Sequence, residues 1–221
     1  IEEEFEKALS SGKDVLFTCL SSGISSTINN AFVCKEEMQE KYPDAEICVF
    51  DSICASGGHG LLIYHAIENK KKGMSVKENM QALEELKHRI VHKFTVDDLT
   101  YLQRGGRISK TAAVIGGMIQ LKPVLHVDTE GRLAAESKVR GRKKALNQLL
   151  AEMDICTGSY ADKQDVVLIC HADCPEDAEY VRAKVEEKYH PNKIIMSEVG
   201  PIIGAHVGPG TMVLIFEGDK R

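Results

Sequence analysis

The stretch VLFTCLSSGISSTINNAFVCKEEMQEKY, residues 15–42, reads as strand, turn and helix in that order. Val15 to Leu20 is an apolar run of strand length, and Ser21, Ser22 and Gly23 break it. From Thr27 onward apolar residues recur at Ile28, Ala31, Phe32 and Met38, which is helical spacing. A second unit follows at once. 46-EICVF-50 reads as a buried strand ended by Asp51-Ser52, and a glycine-rich turn, 56-SGGHG-60, leads into a helix carrying Leu61, Leu62, Tyr64, His65 and Ile67. Lys70-Lys71-Lys72-Gly73 closes that helix with cations and a glycine stop, as the helix dipole favours. Strands alternating with helices over short turns imply a parallel sheet covered on both faces.

The character changes after Gly73. Ser75 with Glu78 makes a capping box for a helix running to about His88. Ile90 to Val96 alternates like a strand, Asp97 to Gln103 reads as a short helix, and Ala112, Ala113, Ile115 and Ile119 mark a helical stretch. Val124–Val127 and Leu133–Val139 flank a hairpin turn, 129-TEGR-132. Helices over Gly141–Met153 and Pro175–Tyr189 and strands over Asp165–Cys170, Ile194–Val199 and Thr211–Phe216 complete the chain. Hairpins mixed with helices argue an α+β unit. The fold expected is therefore α/β in two domains: a parallel-sheet domain over 1–74 and an α+β domain over 75–221. Ile1 to Leu9 already reads as helix with no cap before it, which predicts that the first domain lacks its opening segment here.

The 221 residues are 43% hydrophobic and 28% charged, the balance of a globular protein with an aliphatic core. The net charge of -5 gives no basic footprint for nucleic acid. A local basic face still permits transient contact with an anionic membrane surface. No run approaches the ~20 apolar residues that span a bilayer. The seven cysteines show no zinc spacing, so no metal is expected, and their use as small core residues predicts the cytoplasm.

Four segments carry candidate chemistry. In 20-LSSGISST-27, five hydroxyls and the backbone N–H groups of a helix start crowd the end of a strand, where anions bind. Capping alone is the other reading. In 204-GAHVGPG-210, glycine and proline frame His206, which suits a hydrogen bond to a carboxylate or a shared proton. In 138-KVRGRKK-144, five cations hold an anion, dock an acidic partner or simply face water. Cations at a helix start oppose its dipole, which favours an external anion. The fourth, 104-RGGRISK-110, reads as a structural turn. The segment 56-SGGHG-60 lacks the full dinucleotide pattern, and with no P-loop the chain offers no kinase machinery of its own.

Together, 20-LSSGISSTINNA-31, 51-DSICASGGHGLLIYHA-66, 97-DDLTYLQRGGRISKTAAVIGG-117, 122-KPVLHVDTEGRLAAESKVRGRKKAL-146 and 200-GPIIGAHVGPG-210 resemble the DegV family, in family order and over most of the chain. The resemblance implies a fatty acid buried between two domains, with no cofactor and no catalytic residue. Such proteins are similar to the B subunit of bacterial fatty acid kinase, which presents the carboxylate to a separate, ATP-binding A subunit. The acyl phosphate then enters phospholipid synthesis. By motif, Ser21, Ser22 and Gly23 would hold the carboxylate, with His206 beside it and Arg140 as the nearest cation. Arg142 and Lys143 would help dock the kinase. The apolar 113-AVIGGMIQL-121 and 202-II-203 would line the acyl tunnel. The family has ~60 further residues at its start, with a first strand and a Thr-Ser-Gln loop whose Thr also meets the carboxylate. Here 25-SST-27 stands in place of Ser-Gly-Thr, which adds a Cβ at Ser26. A lone hydrolase using His206 and a serine of the 21–27 turn is the competing reading. It lacks an acidic residue to orient the histidine.

Overall fold

The structure is a computed structural model that describes residues 1–109 and 121–221. The expected helical stretch at 112–119, and all of the expected tunnel segment 113–121 except Leu121, lie outside the described residues.

The first half holds α1 (Glu2–Leu9), β1 (Val15–Cys19), α2 (Thr27–Lys41), β2 (Ile47–Asp51), α3 (Gly57–Lys71) and α4 (Val76–Leu86). β1 and β2 pair in parallel, from Val15 opposite Ile47 to Cys19 opposite Asp51. α2 lies on them through Ile28, Ala31, Cys34 and Met38. Phe32, expected on that face, is 45% exposed, and Cys34 takes the buried place because it lies three residues from Ala31 and four from Met38. The expected capping box forms: Ser75 Oγ accepts from the Glu78 N–H while the Glu78 carboxylate accepts from the Ser75 N–H. The segment 57–60, read as a turn, is instead the first turn of α3.

The second half holds β3 (Ile90–Thr95), α5 (Thr100–Arg104), β4 (Leu121–Val127), β5 (Leu133–Arg140), α6 (Arg142–Thr157), β6 (Val166–His171), α7 (Pro175–Tyr189), β7 (Lys193–Glu198), α8 (Pro201–Val207) and β8 (Met212–Glu217). Its six-stranded sheet has the order β5-β4-β3-β8-β6-β7; only β6 and β7 pair in parallel. The expected alternation in β3 is absent because both faces are covered: all six of its residues are buried. Ile90 and Phe94 join a core with Leu61, Leu62 and Ile215, while Val91 joins another with Leu149, Met153 and Phe216 beneath α6. Burying each such side chain contributes about 1.5–3 kcal/mol. The same burial takes in Lys93, whose ammonium donates to both Glu136 oxygens at 2.8 Å. The turn near Gly73 separates α3, which packs on β3, β6 and β8, from α4, which packs on α3, β1 and β2.

Candidate functional site

A cavity of about 150 Å³ opens where the end of β1 meets the second sheet. Among the described residues, twelve of its lining side chains are apolar, including Phe94, Leu102, Val127, Ile203 and Val213. Six are polar: Ser25, Ser56, His92, Arg107, His206 and Thr211. A wall of that balance suits a mostly hydrocarbon ligand with one polar end. The volume is below the ~300–1,000 Å³ usual for ligand clefts, so a long chain fits only if the wall moves outward. α8 forms part of that wall, and its Ile202 is 80% exposed at the rim.

The serine turn is more fully bonded than its sequence suggests. The Ser21 N–H donates to the Cys54 carbonyl, and those of Ile24 and Ser25 to the Ser21 carbonyl. The Ser22 N–H donates to Asp51 Oδ1 at 3.1 Å, the Gly23 N–H to Ser21 Oγ at 3.0 Å, and the Thr27 N–H to Ser25 Oγ at 3.3 Å. Ser21 is fully buried against Gly131 at the β4–β5 hairpin tip, and Gly23 meets the Glu130 and Gly131 carbonyls. The residues by which this end of β1 and its turn face the cavity are Leu20, Ile24 and Ser25. Ser21, Ser22 and Gly23 therefore frame the turn beneath the cavity wall. Ser26 has φ −84, so its Cβ costs no backbone strain.

His206 faces the cavity from the last turn of α8; the glycine-rich loop begins only after it, at Gly208. Its imidazole lies on Gly105, where a Cβ would collide with Nδ1. Gly105 and Gly106 end α5 in a Schellman turn: Gly106 has φ +70, its N–H donates to the Gln103 carbonyl, and the Arg107 N–H donates to the Leu102 carbonyl. That reversal carries Arg107 to the serine turn, where its Nε donates to the Ile24 carbonyl at 3.1 Å. Sequence reading took 104–110 for a turn and missed Arg107 as a site residue. A positive charge just beyond a paired-glycine helix stop was the available signal.

Two further polar groups were missed. His92 is 1% exposed, and its Nε2 sits 3.3 Å from the Ala55 nitrogen. Burial, and then the nearby Arg221, push its pKa down to about 3, so it meets the cavity as a neutral ring. Ser56 caps α3 with φ +47 and lies in the same wall. Ile53, at φ +45, is a β-branched residue in left-handed geometry, so the 51–56 loop stores strain beside the site. Burial raises the Cys54 thiol to about 12 and the Cys19 thiol to about 11.

The basic segment lies elsewhere. Arg140 ends β5 opposite Leu121 and does not line the cavity. Arg142 donates to Asp177 Oδ2 at 2.7 Å and lies 3.4 Å from Asp97 Oδ1. These carboxylates, distant in sequence, pair with Arg142, one of the five cations of the segment. Lys143 is exposed, its ammonium 5.9 Å from the centre of the Tyr180 ring.

A parallel pair, a mixed sheet and an apolar cavity where they meet define an α/β fold. The DegV family model, described as "Uncharacterised protein, DegV family", matches residues 1–219, and the chain belongs to that family. A DegV domain-containing protein of Clostridium perfringens is 41% identical over 219 residues, 99% of this chain and 75% of the relative. A Thermus thermophilus DegV family protein, whose structure concerns fatty acid binding, has TM-score 0.85 and 27% identity over 98% of this chain and 75% of its own. The Streptococcus pneumoniae fatty acid kinase B3 protein loaded with linoleic acid has TM-score 0.89 over 99% of this chain and 76% of its own; at 20% identity this likeness shows the shared fold. No described helix is long and apolar enough to cross a membrane.

Proposed function

We propose that this chain binds a long-chain fatty acid in the cavity and presents its carboxylate to a separate ATP-binding kinase, which forms the acyl phosphate used in phospholipid synthesis. The observation that carries this reading is the division of the wall. Apolar side chains line most of it, and among the polar ones Arg107 joins the Ile24 carbonyl, next to Ser25, to the Gly105 carbonyl, on whose residue the His206 ring rests. Burial of each methylene contributes about 0.8 kcal/mol, so the tail alone supplies tight binding. Membership of a family with a fatty-acid-binding relative at 27% identity supports the ligand class.

In this reading Ser21, Ser22 and Gly23 shape the turn against which the carboxylate rests, and His206 stands beside it. Arg140 and Lys143, exposed near the start of α6, form the edge that docks the kinase, while Arg142 holds that edge to α7 through Asp177. The protein itself performs no phosphoryl transfer. Seven unpaired thiols agree with a cytoplasmic setting.

The test is thermal unfolding of delipidated protein with added oleic acid, read beside native mass spectrometry. Binding to the folded state stabilises by about 2.7 kcal/mol at one hundred times Kd. A rise in Tm with one fatty acid per chain is expected. No mass shift and no rise in Tm would overturn the reading.

A further inference from the structure

We propose that His92 gives the cavity a second polar contact, one that selects an acyl chain carrying a hydroxyl group along its length. This inference rests on the fatty-acid reading above and names the ligand more closely.

The six polar residues of the wall are not equally free. Ser25 Oγ accepts from the Thr27 N–H at 3.3 Å and lies 2.9 Å from Thr27 Oγ1. Thr211 Oγ1 donates to the Val207 and Gly208 carbonyls at 3.0 and 2.9 Å. Ser56 hydrogen-bonds the Cys170 thiol. Arg107 is held by the Ile24 and Gly105 carbonyls, and His206 rests on Gly105. His92 stands apart from that group: its ring packs on Gly58 and meets Ala55 just before α3. Several buried side-chain polar atoms lack a hydrogen-bond partner among the described residues, and His92 Nδ1 is the one that belongs to the cavity wall.

The ring is fixed in place. Gly58 leaves room for it, because a Cβ there would collide with Nε2. The Ala55 N–H donates to Nε2 at 3.3 Å, which makes Nε2 the acceptor of the neutral ring and puts the proton on Nδ1. With the proton instead on Nε2, toward the Ala55 carbonyl at 3.2 Å, Nδ1 is a bare acceptor. The Ile90 carbonyl is near enough to favour the charged ring slightly, which burial outweighs, but it makes no hydrogen bond to Nδ1. A hydroxyl both donates and accepts, so it pairs Nδ1 in either tautomer. Leaving a buried polar atom unpaired is costly, so a chain that pairs it gains over one that does not. A hydroxyl elsewhere on the chain meets apolar wall and loses its water without replacement. Affinity should therefore peak at one position of the hydroxyl.

The experiment uses delipidated protein at neutral pH and measures calorimetric affinities for decanoic acid and a positional series of monohydroxydecanoic acids. One member of the series should bind about fivefold or more tightly than decanoic acid, and the others more weakly. His92→Leu should remove the peak, cutting the ratio of the best hydroxy acid to decanoic acid about tenfold. His92→Gln keeps a polar group and should retain part of it. A series without a peak in the unsubstituted protein overturns the inference. So does a His92→Leu variant that weakens hydroxy acid and decanoic acid alike, the mark of a purely structural residue. If His92→Leu fails to fold, His92→Gln carries the test, and an unchanged ratio there overturns the inference. If the unsubstituted protein binds neither decanoic acid nor any member of the series, the fatty-acid reading itself fails, a result separate from any effect of the substitutions.

Discussion

The imidazole of His206 lies directly on the backbone of Gly105, with Nδ1 occupying the space where a Cβ would stand. Gly105 has an ordinary φ of −70, so the glycine is needed for contact and not for backbone geometry. The two residues are 101 positions apart, and their contact joins the α5 turn to α8 at the cavity wall.

Gly105→Ala is therefore expected to displace His206 and weaken fatty-acid binding severalfold, at a stability cost of about 1–3 kcal/mol from overpacking. In a His206→Ala background the same change should cost little, because the colliding ring is gone. A double-mutant cycle by urea unfolding and ligand titration measures this. Additive effects would show that the contact does not govern the site.

Filling the cavity should separate binding from folding. Val127 lines it and is 1% exposed. Val127→Phe adds bulk to a space of about 150 Å³. The expected outcome is loss of fatty-acid binding with an unliganded Tm close to that of the parent. Retained affinity would place the tail elsewhere.

His92 makes stability depend on pH. Folded, it stays neutral down to about pH 3, whereas unfolded it takes up a proton near its ordinary 6.5. Between these values the unfolded chain binds more protons. Its contribution is thus fully present above about pH 6.5 and lost as pH falls toward 3, with a slope approaching about 1.4 kcal/mol per pH unit. Burial also lowers His59, His65 and His126, which adds the same sign. Urea unfolding at pH 7.0 and 5.5 should show the decline, and His92→Gln should make it shallower. An unchanged slope would mean that His92 is not the source.

The buried pair under α6 should respond unequally to its two deletions. Lys93 is 1% exposed, whereas the Glu136 side chain is 30% exposed. Glu136→Ala leaves the ammonium buried, with Glu152 4.0 Å away, and should cost about 3 kcal/mol or more. Lys93→Met leaves a carboxylate that still reaches water, so it should cost less than half as much. Chemical denaturation of both variants decides this, and equal costs would contradict it.

Much of the fold was legible along the chain because its signals are local. The capping box at Ser75–Glu78, the Pro175 helix start, the period of β1 and β2 and the β4–β5 hairpin are each set within a few residues. Errors arose where neighbours far in sequence decide. Cys34 and Phe32 fit the helical pattern of α2 about equally, and only the position of the sheet selects Cys34. Glycine content made 57–60 and 204–207 look like loops, yet tertiary packing holds both as helix.

By itself, the sequence determined the α/β class, the order of most elements, the family resemblance and the concentration of hydroxyls, glycines and cations in a few segments. The tertiary structure decided which of those groups face the cavity. The Ser22 N–H is taken by Asp51, 29 residues away, and Arg142 by Asp177, 35 residues away, while Arg107 reaches Ile24 across 83 residues. A hydrogen-bonding group is available to a ligand only if no internal partner has claimed it. That depends on distances in space, which local residue pattern does not encode.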